Sequence, residues 1–150
     1  MTDQTTTTGG ALEAPLFLFY GTLMSGQGRG DMLDFLGRTV GPAEIRGTLY
    51  SVHGAFPALV DGDGVVQGEL WQPHDGCFNE AIAVLDGIEG YRPDDRASSM
   101  YLRERRQLTD GTIAYVYVWN QSLDRLTLIP DGDWRAEEQR YREARLERRS

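Results

Sequence analysis

One carboxylate in this 150-residue chain has a setting suited to acid–base work. Phe78, Ile82, Leu85 and Glu89 stand at offsets of 0, 4, 7 and 11, which is one face of a 3.6-residue repeat. The spacing predicts a helix from Cys77 to about Glu89, with Gly90 as its stop. That helix carries Glu89 on the same stripe as its apolar residues, toward the core. Loss of hydration raises the pKa of a carboxyl group. A helix C-terminus disfavours negative charge and acts in the same direction. A carboxyl drawn toward neutrality is what general acid–base catalysis requires. The structural alternative, on the pattern alone, is a carboxylate capped by Arg92 or paired with Arg103.

A second stretch invites a ligand. The apolar run Leu16-Phe17-Leu18-Phe19 leads straight into Tyr20-Gly21-Thr22-Leu23, a strand running into a glycine and then a free hydroxyl. Such a corner exposes backbone N–H groups, and Gly21 has no Cβ to keep a ligand away. By itself the tetrapeptide has no chemistry. It needs a reactive group from elsewhere in the chain facing it.

Other chemistries find little support. His53 and His74 are far apart, and the single Cys77 has no CxxC partner, so no spacing suggests a metal site. No serine occupies a G-x-S-x-G elbow. All 15 basic residues are arginine, which excludes Schiff-base lysine chemistry and a Walker-type phosphate lysine. A formal net charge of −8 argues against general nucleic-acid binding. No apolar run approaches the length of a membrane span. The N-terminus lacks the basic and apolar parts of a signal peptide, so a cytoplasmic setting is expected. The lone cysteine agrees with a reducing compartment.

The elements that must hold these residues read as a mainly β domain. Residues 1–14 are rich in Thr and Gly and are expected to form a disordered lead-in. Leu16–Tyr20 has the length of a strand covered on both faces. A short helix is expected near Asp31–Leu36, with Asp31 as its N-cap. From Arg38 to Tyr50 the pattern is one long or bent strand, with bends or bulges at Gly41-Pro42 and Gly47. Phe56–Val60 then leads to Asp61-Gly62-Asp63-Gly64, a hairpin turn signal, with Val65–Trp71 as the returning strand. Ser99–Thr109 and Thr112–Trp119 flank a second turn signal, Asp110-Gly111. The latter strand alternates two apolar sets, which predicts cover on both faces. Arg125–Ile129 is a last short strand. Residues 135–150 hold six Arg and four Glu and read as a solvated or fraying helix, with a partner-binding helix as the alternative. The expected fold is α+β, mainly β: a small mixed β-barrel with one main helix and a minor one, over residues 15–134.

The order Tyr20-Gly21-Thr22-Leu23, Leu85-Asp86-Gly87-Ile88-Glu89-Gly90, Tyr101-x-Arg103 and Ile129-Pro130-Asp131-Gly132-Asp133-Trp134 resembles the gamma-glutamylcyclotransferase-like family, the last segment resembling its bacterial members. The resemblance implies a barrel-like fold with a pocket beside the Tyr-Gly-x-Leu corner. It implies a cofactor-independent enzyme that cyclises a γ-glutamyl amine or related γ-glutamyl conjugate to 5-oxoproline and releases the amine. On this chain Glu89 would be the acid/base, Tyr20, Gly21, Thr22 and Leu23 would hold the substrate, and Tyr101 would close the pocket. Arg103 would be a partner behind the site or a structural ion pair. The chain departs from the family pattern after Leu23, where Met24-Ser25-Gly26-Gln27-Gly28-Arg29-Gly30 replaces a basic segment containing Asn or His. From another class, the alternative is a non-catalytic small-molecule binding or protein-interaction domain on the same fold.

Overall fold

The computed structural model describes residues 15–149 apart from 25, 26, 28 and 29. The expected lead-in over residues 1–14 lies outside the described residues. Six strands and two helices follow: β1 (Phe17–Phe19), β2 (Gly37–Val52), β3 (Phe56–Pro73), α1 (Phe78–Glu89), β4 (Tyr101–Gln107), β5 (Ile113–Trp119), β6 (Thr127–Ile129) and α2 (Trp134–Arg149).

The strands form one sheet in the order β4-β5-β1-β3-β2-β6. β1 lies inside it, antiparallel to β3 (Phe17 opposite Trp71) and parallel to β5 (Phe17 opposite Tyr115). All three residues of β1 are buried, as its continuous apolar run predicts. The barrel expected from the sequence is not formed: the sheet is open, with β4 and β6 as its edges. β6 offers only three residues to the sheet, paired with Leu49–Ser51 of β2. Closure needs a strand long enough to pair on both sides, and β6 is not.

Helix α1 covers the sheet through the predicted stripe. Ala81 and Leu85 are fully buried, and Phe78 stacks near Phe17 and Tyr115 with ring centroids 6.4 and 6.1 Å apart. Burying a leucine side chain such as Leu85 contributes roughly 1.5–3 kcal/mol. Phe17, Phe19 and Trp71 complete an aromatic cluster beneath the helix.

Two further sequence expectations are corrected. The Asp31–Leu36 helix is instead a single 3-10 turn at Gly30–Leu33. Its neighbours bury only Leu33 and Leu36 and leave Met32 and Phe35 exposed, too little apolar contact to sustain a longer helix. The turn at Asp61–Gly64 is also absent. The β2–β3 hairpin turns at His53 and Gly54, both at positive φ (56° and 77°), and β3 runs on through the Asp-Gly repeat. The residues between Val60 and Val65 face Gly47 across a break in register, so the repeat is spent in a bulge. A Cβ on Gly62 would lie 1.9 Å from Thr48 Oγ1, an approach only glycine allows. The predicted returning strand Val65–Trp71 is therefore the second half of β3. The bends foreseen at Gly41-Pro42 and Gly47 coincide with register shifts in β2.

The second hairpin forms where expected. Leu108 N donates to Thr112 O, and Asp110 Oδ1 accepts from Thr112 N. The charged C-terminal stretch is helix α2. Asp133 Oδ1 accepts from Ala136 N at its start, Trp134 is buried, and most of the remaining described residues of the helix are exposed.

Candidate active site

A cavity of about 440 Å³ opens where the end of β1, the β2–β3 turn and the C-terminus of α1 converge. Its wall includes Tyr20, Gly21, Thr22 and Leu23 after β1, and Ala55, Phe56 and Pro57 at the start of β3. Ile88 and Glu89 of α1, Met100 and Tyr101 at β4, and Tyr117 of β5 complete the main surfaces. Each residue that the sequence singled out for substrate or catalysis, Tyr20, Gly21, Thr22, Leu23, Glu89 and Tyr101, lies on this one wall. The corner and the carboxylate share a cavity.

Local chemistry fixes each part. Glu89 ends α1, and Gly90 follows in the left-handed conformation (φ 67°, ψ 36°) that a helix C-cap demands. The amides of Gly90 and Tyr91 return to the carbonyls of Asp86 and Gly87, and Met100 N donates to Gly90 O. The end of the helix is thereby tied to the start of β4. Tyr20 is buried, and its hydroxyl donates to Tyr117 O at 2.5 Å. Tyr101 Oη donates to Pro57 O at 2.5 Å, which joins β4 to the β3 wall. The ring of Tyr101 meets Trp119 edge-on at 5.2 Å. The role of Gly21 differs in one respect from the expected one. A Cβ there would strike Pro57 Cγ at 2.5 Å, so the glycine first of all lets the corner seat against the β3 wall.

Electrostatics draw these groups together. Burial pushes the Tyr20 hydroxyl well above the ordinary tyrosine range, and the nearby Tyr101 and Glu89 add to the shift. Tyr117 is raised too, first by burial, then by its hydrogen bond to Asp86 and the charges of Asp86 and Glu89. The Glu89 carboxylate thus lies within electrostatic reach of two buried phenols. Arg103 does not sit where one sequence alternative put it, against Glu89. Its guanidinium grips Asp86, with Nε–Oδ1 at 3.0 Å and Nη2–Oδ2 at 3.3 Å.

Asp86, Tyr117 and the Ala55–Pro57 wall were not singled out by sequence. The signal for Asp86 was its place one helical turn before Glu89. Tyr117 lay within an alternating strand where any aromatic reads as core. The histidines stay away from the cavity: His53 is in the β2–β3 turn and His74 Nε2 contacts Asp34 O at 3.1 Å. Among the described residues no cluster of three His, Cys, Asp or Glu is disposed to hold a metal, and no helix is long and apolar enough to cross a membrane.

Comparison with known proteins matches residues 17–136 to the model of the "Gamma-glutamyl cyclotransferase, AIG2-like" family. The chain belongs to that family. Within it, the chain is 34% identical over 86 residues to the gamma-glutamylcyclotransferase family protein YtfP of Escherichia coli K12. That alignment covers 57% of this chain and 66% of YtfP, just under two thirds of the relative's length. The solution structure of E. coli ytfP superposes with a TM-score of 0.59 at 29% identity, covering 79% of this chain and 95% of that one. An uncharacterized protein of Pyrococcus horikoshii shares the fold, with a TM-score of 0.64 at 18% identity over 87% of this chain and 98% of that one. The cyclotransferase family motifs map onto the structure unequally. The Tyr20–Leu23 segment and, from Leu85–Gly90, Ile88 and Glu89 border the cavity, whereas Ile129–Trp134 builds the β6–α2 junction. There Gly132 turns at φ 63° against Val65 O, and Gln67 N donates to Gly132 O.

Proposed function

We propose that this family member cyclises a γ-glutamyl amine to 5-oxoproline and releases the amine, with Glu89 as general acid/base. The observation that carries this reading is the joint placement of Glu89 and the Tyr20–Leu23 corner on one cavity of about 440 Å³. That size lies toward the lower end of the roughly 300–1,000 Å³ common for small-molecule sites.

The chemistry needs no protein nucleophile. The Glu89 carboxylate takes a proton from the substrate's α-ammonium, and the freed amine attacks the γ-carbonyl carbon. A C–N bond forms and the carbonyl becomes a tetrahedral oxyanion. Glu89 then returns the proton to the departing nitrogen and the γ-amide C–N bond breaks. The ring nitrogen gives up its second proton through Glu89 to the freed amine, which leaves as the ammonium, and the five-membered lactam remains. Holding the amine against the carbonyl supplies much of the rate effect. Backbone N–H groups at Gly21–Leu23 bind the substrate carboxylate or the oxyanion. Tyr101, locked to Pro57, closes the wall.

The lining favours an amine over an amino acid as leaving group. A γ-glutamyl dipeptide brings a second carboxylate, and none of the residues lining the cavity among those described is cationic. Ala55, Phe56, Pro57 and Met100 offer apolar surface instead. Full-length protein incubated with γ-glutamyl alkylamines and with γ-glutamyl dipeptides, followed by quantification of 5-oxoproline, tests the proposal. Release from the amines is expected, with lower kcat/KM for the dipeptides. No 5-oxoproline from any of them would leave a non-catalytic binding domain as the reading.

A further inference from the structure

Two charges lie behind the Glu89 wall, and the proposed chemistry uses neither directly. Asp86 precedes Glu89 by three positions on α1, the spacing that makes helix side chains neighbours. Arg103 reaches it from β4 as a two-pronged pair, with the side chains only 13% (Asp86) and 18% (Arg103) exposed. The guanidinium carbon also lies over the rings of Tyr91 and Tyr115, 5.4 and 5.5 Å from their centroids. Asp86 Oδ1 accepts a further bond of 2.7 Å from the Tyr117 hydroxyl, and Tyr117 faces the cavity. Asp86 is held at its backbone as well, since its carbonyl accepts from Tyr91 N at 2.9 Å. A buried ion pair is a poor device for stability alone, because apolar residues of the same volume often serve as well.

We infer that Asp86 and Arg103 are a positioning pair for Glu89, fixing the last turn of α1 and cancelling each other's charge beside the reactive carboxyl. The inference rests on the acid/base reading of Glu89 for its meaning, though not for its test. Tyr20 after β1 and Tyr117 on β5 lie within electrostatic reach of Glu89, Tyr101 of β4 lines the same wall, Asp86 precedes it by one turn on α1, and Arg103 stands behind, paired to Asp86. Tyr20 and Tyr117 are neutral at pH 7 as any tyrosine is, and burial raises them further. Asp86 and Arg103 carry the charge, and they oppose one another. Removing either leaves the other unbalanced behind the last turn of α1, and an uncompensated charge within about 4–6 Å moves a carboxyl by about one pH unit or more.

The signs are opposite, which a merely structural role would not produce. Asp86→Asn leaves the Arg103 cation and lowers the Glu89 pKa. Arg103→Gln leaves the Asp86 anion and raises it. The double variant carries neither charge and returns Glu89 toward its wild-type value. NMR titration of the Glu89 carboxyl carbon in the full-length protein reads this without turnover, and 5-oxoproline release is measured in parallel. Opposite shifts in the single variants, with return in the double, are expected, and the acid limb of kcat/KM should follow them. Absent or same-direction shifts in folded variants overturn the pairing. Should Arg103→Gln not fold, the double variant and Asp86→Asn decide: a lowered value in the latter that the former fails to restore also overturns it. Opposite shifts in a protein that releases no 5-oxoproline would uphold the pair while sinking the cyclisation reading.

Discussion

At the scale of single residues, the cavity depends on close contacts that tolerate no added atoms. An alanine at Gly21 would place its Cβ 2.5 Å from the rigid Pro57 ring, so the corner and the β3 wall must separate. Gly21→Ala is expected to lower kcat/KM by about ten- to a hundredfold, since misplacing reacting groups by about 1 Å costs on that order. A crystal structure of the variant should show Pro57 displaced; unchanged activity with Pro57 in place would refute this view of the corner. The place of Glu89 on the cavity wall was legible in sequence because helix period reports which face turns inward. The partner of Arg103 was not. Asp86 and Glu89 are three positions apart, and only the rotation of the last helical turn decides which of them meets Arg103 on β4.

At the scale of elements, the long β2–β3 hairpin carries one wall of the site, and a bulge sets its path. Thr48 pairs with Val60 while Arg46 pairs with Val65, and Gly62 sits against Thr48 at the break. Gly62→Ala must push Thr48 aside and is expected to destabilise the fold by about 1–3 kcal/mol, measurable by urea unfolding. A cost near zero would mean that the strand slips register freely. Here sequence reasoning misread a real signal. Asp-Gly pairs do favour positive φ and tight turns, but whether such a segment turns the chain or puckers a strand depends on the partner across from it. His53 and Gly54 supplied the actual turn, and a histidine at positive φ carries little warning in sequence. The helix α1, the Asp110-Gly111 hairpin and the long bent β2 were legible, because each rests on local period or local turn chemistry. The open sheet was not, since closure depends on how far β6 extends beside β2.

At the scale of the whole molecule, two buried phenols couple folding to pH. Tyr20 and Tyr117 are both held above the ordinary tyrosine value of 10.0, chiefly by burial. Above that value the unfolded chain loses these protons while the native chain keeps them. Stability must then fall as pH rises, by up to about 1.4 kcal/mol per pH unit for each tyrosine. Urea unfolding between pH 8 and pH 11 should show the loss beginning near pH 10, and a flat profile would contradict the burial of both hydroxyls. The central claim is also molecular in scale: a corner after β1 and the end of α1, brought together only by folding, form one working site. It is tested most directly by comparing steady-state 5-oxoproline release by wild type and Glu89→Gln with a γ-glutamyl alkylamine. Glutamine keeps the size of the side chain and removes the proton-transferring oxygen. Loss of general acid–base catalysis corresponds to about 10²–10⁴-fold in kcat, with KM changing only a few-fold, and that is the predicted result. A Glu89→Gln protein that turns over at the wild-type rate would contradict the account.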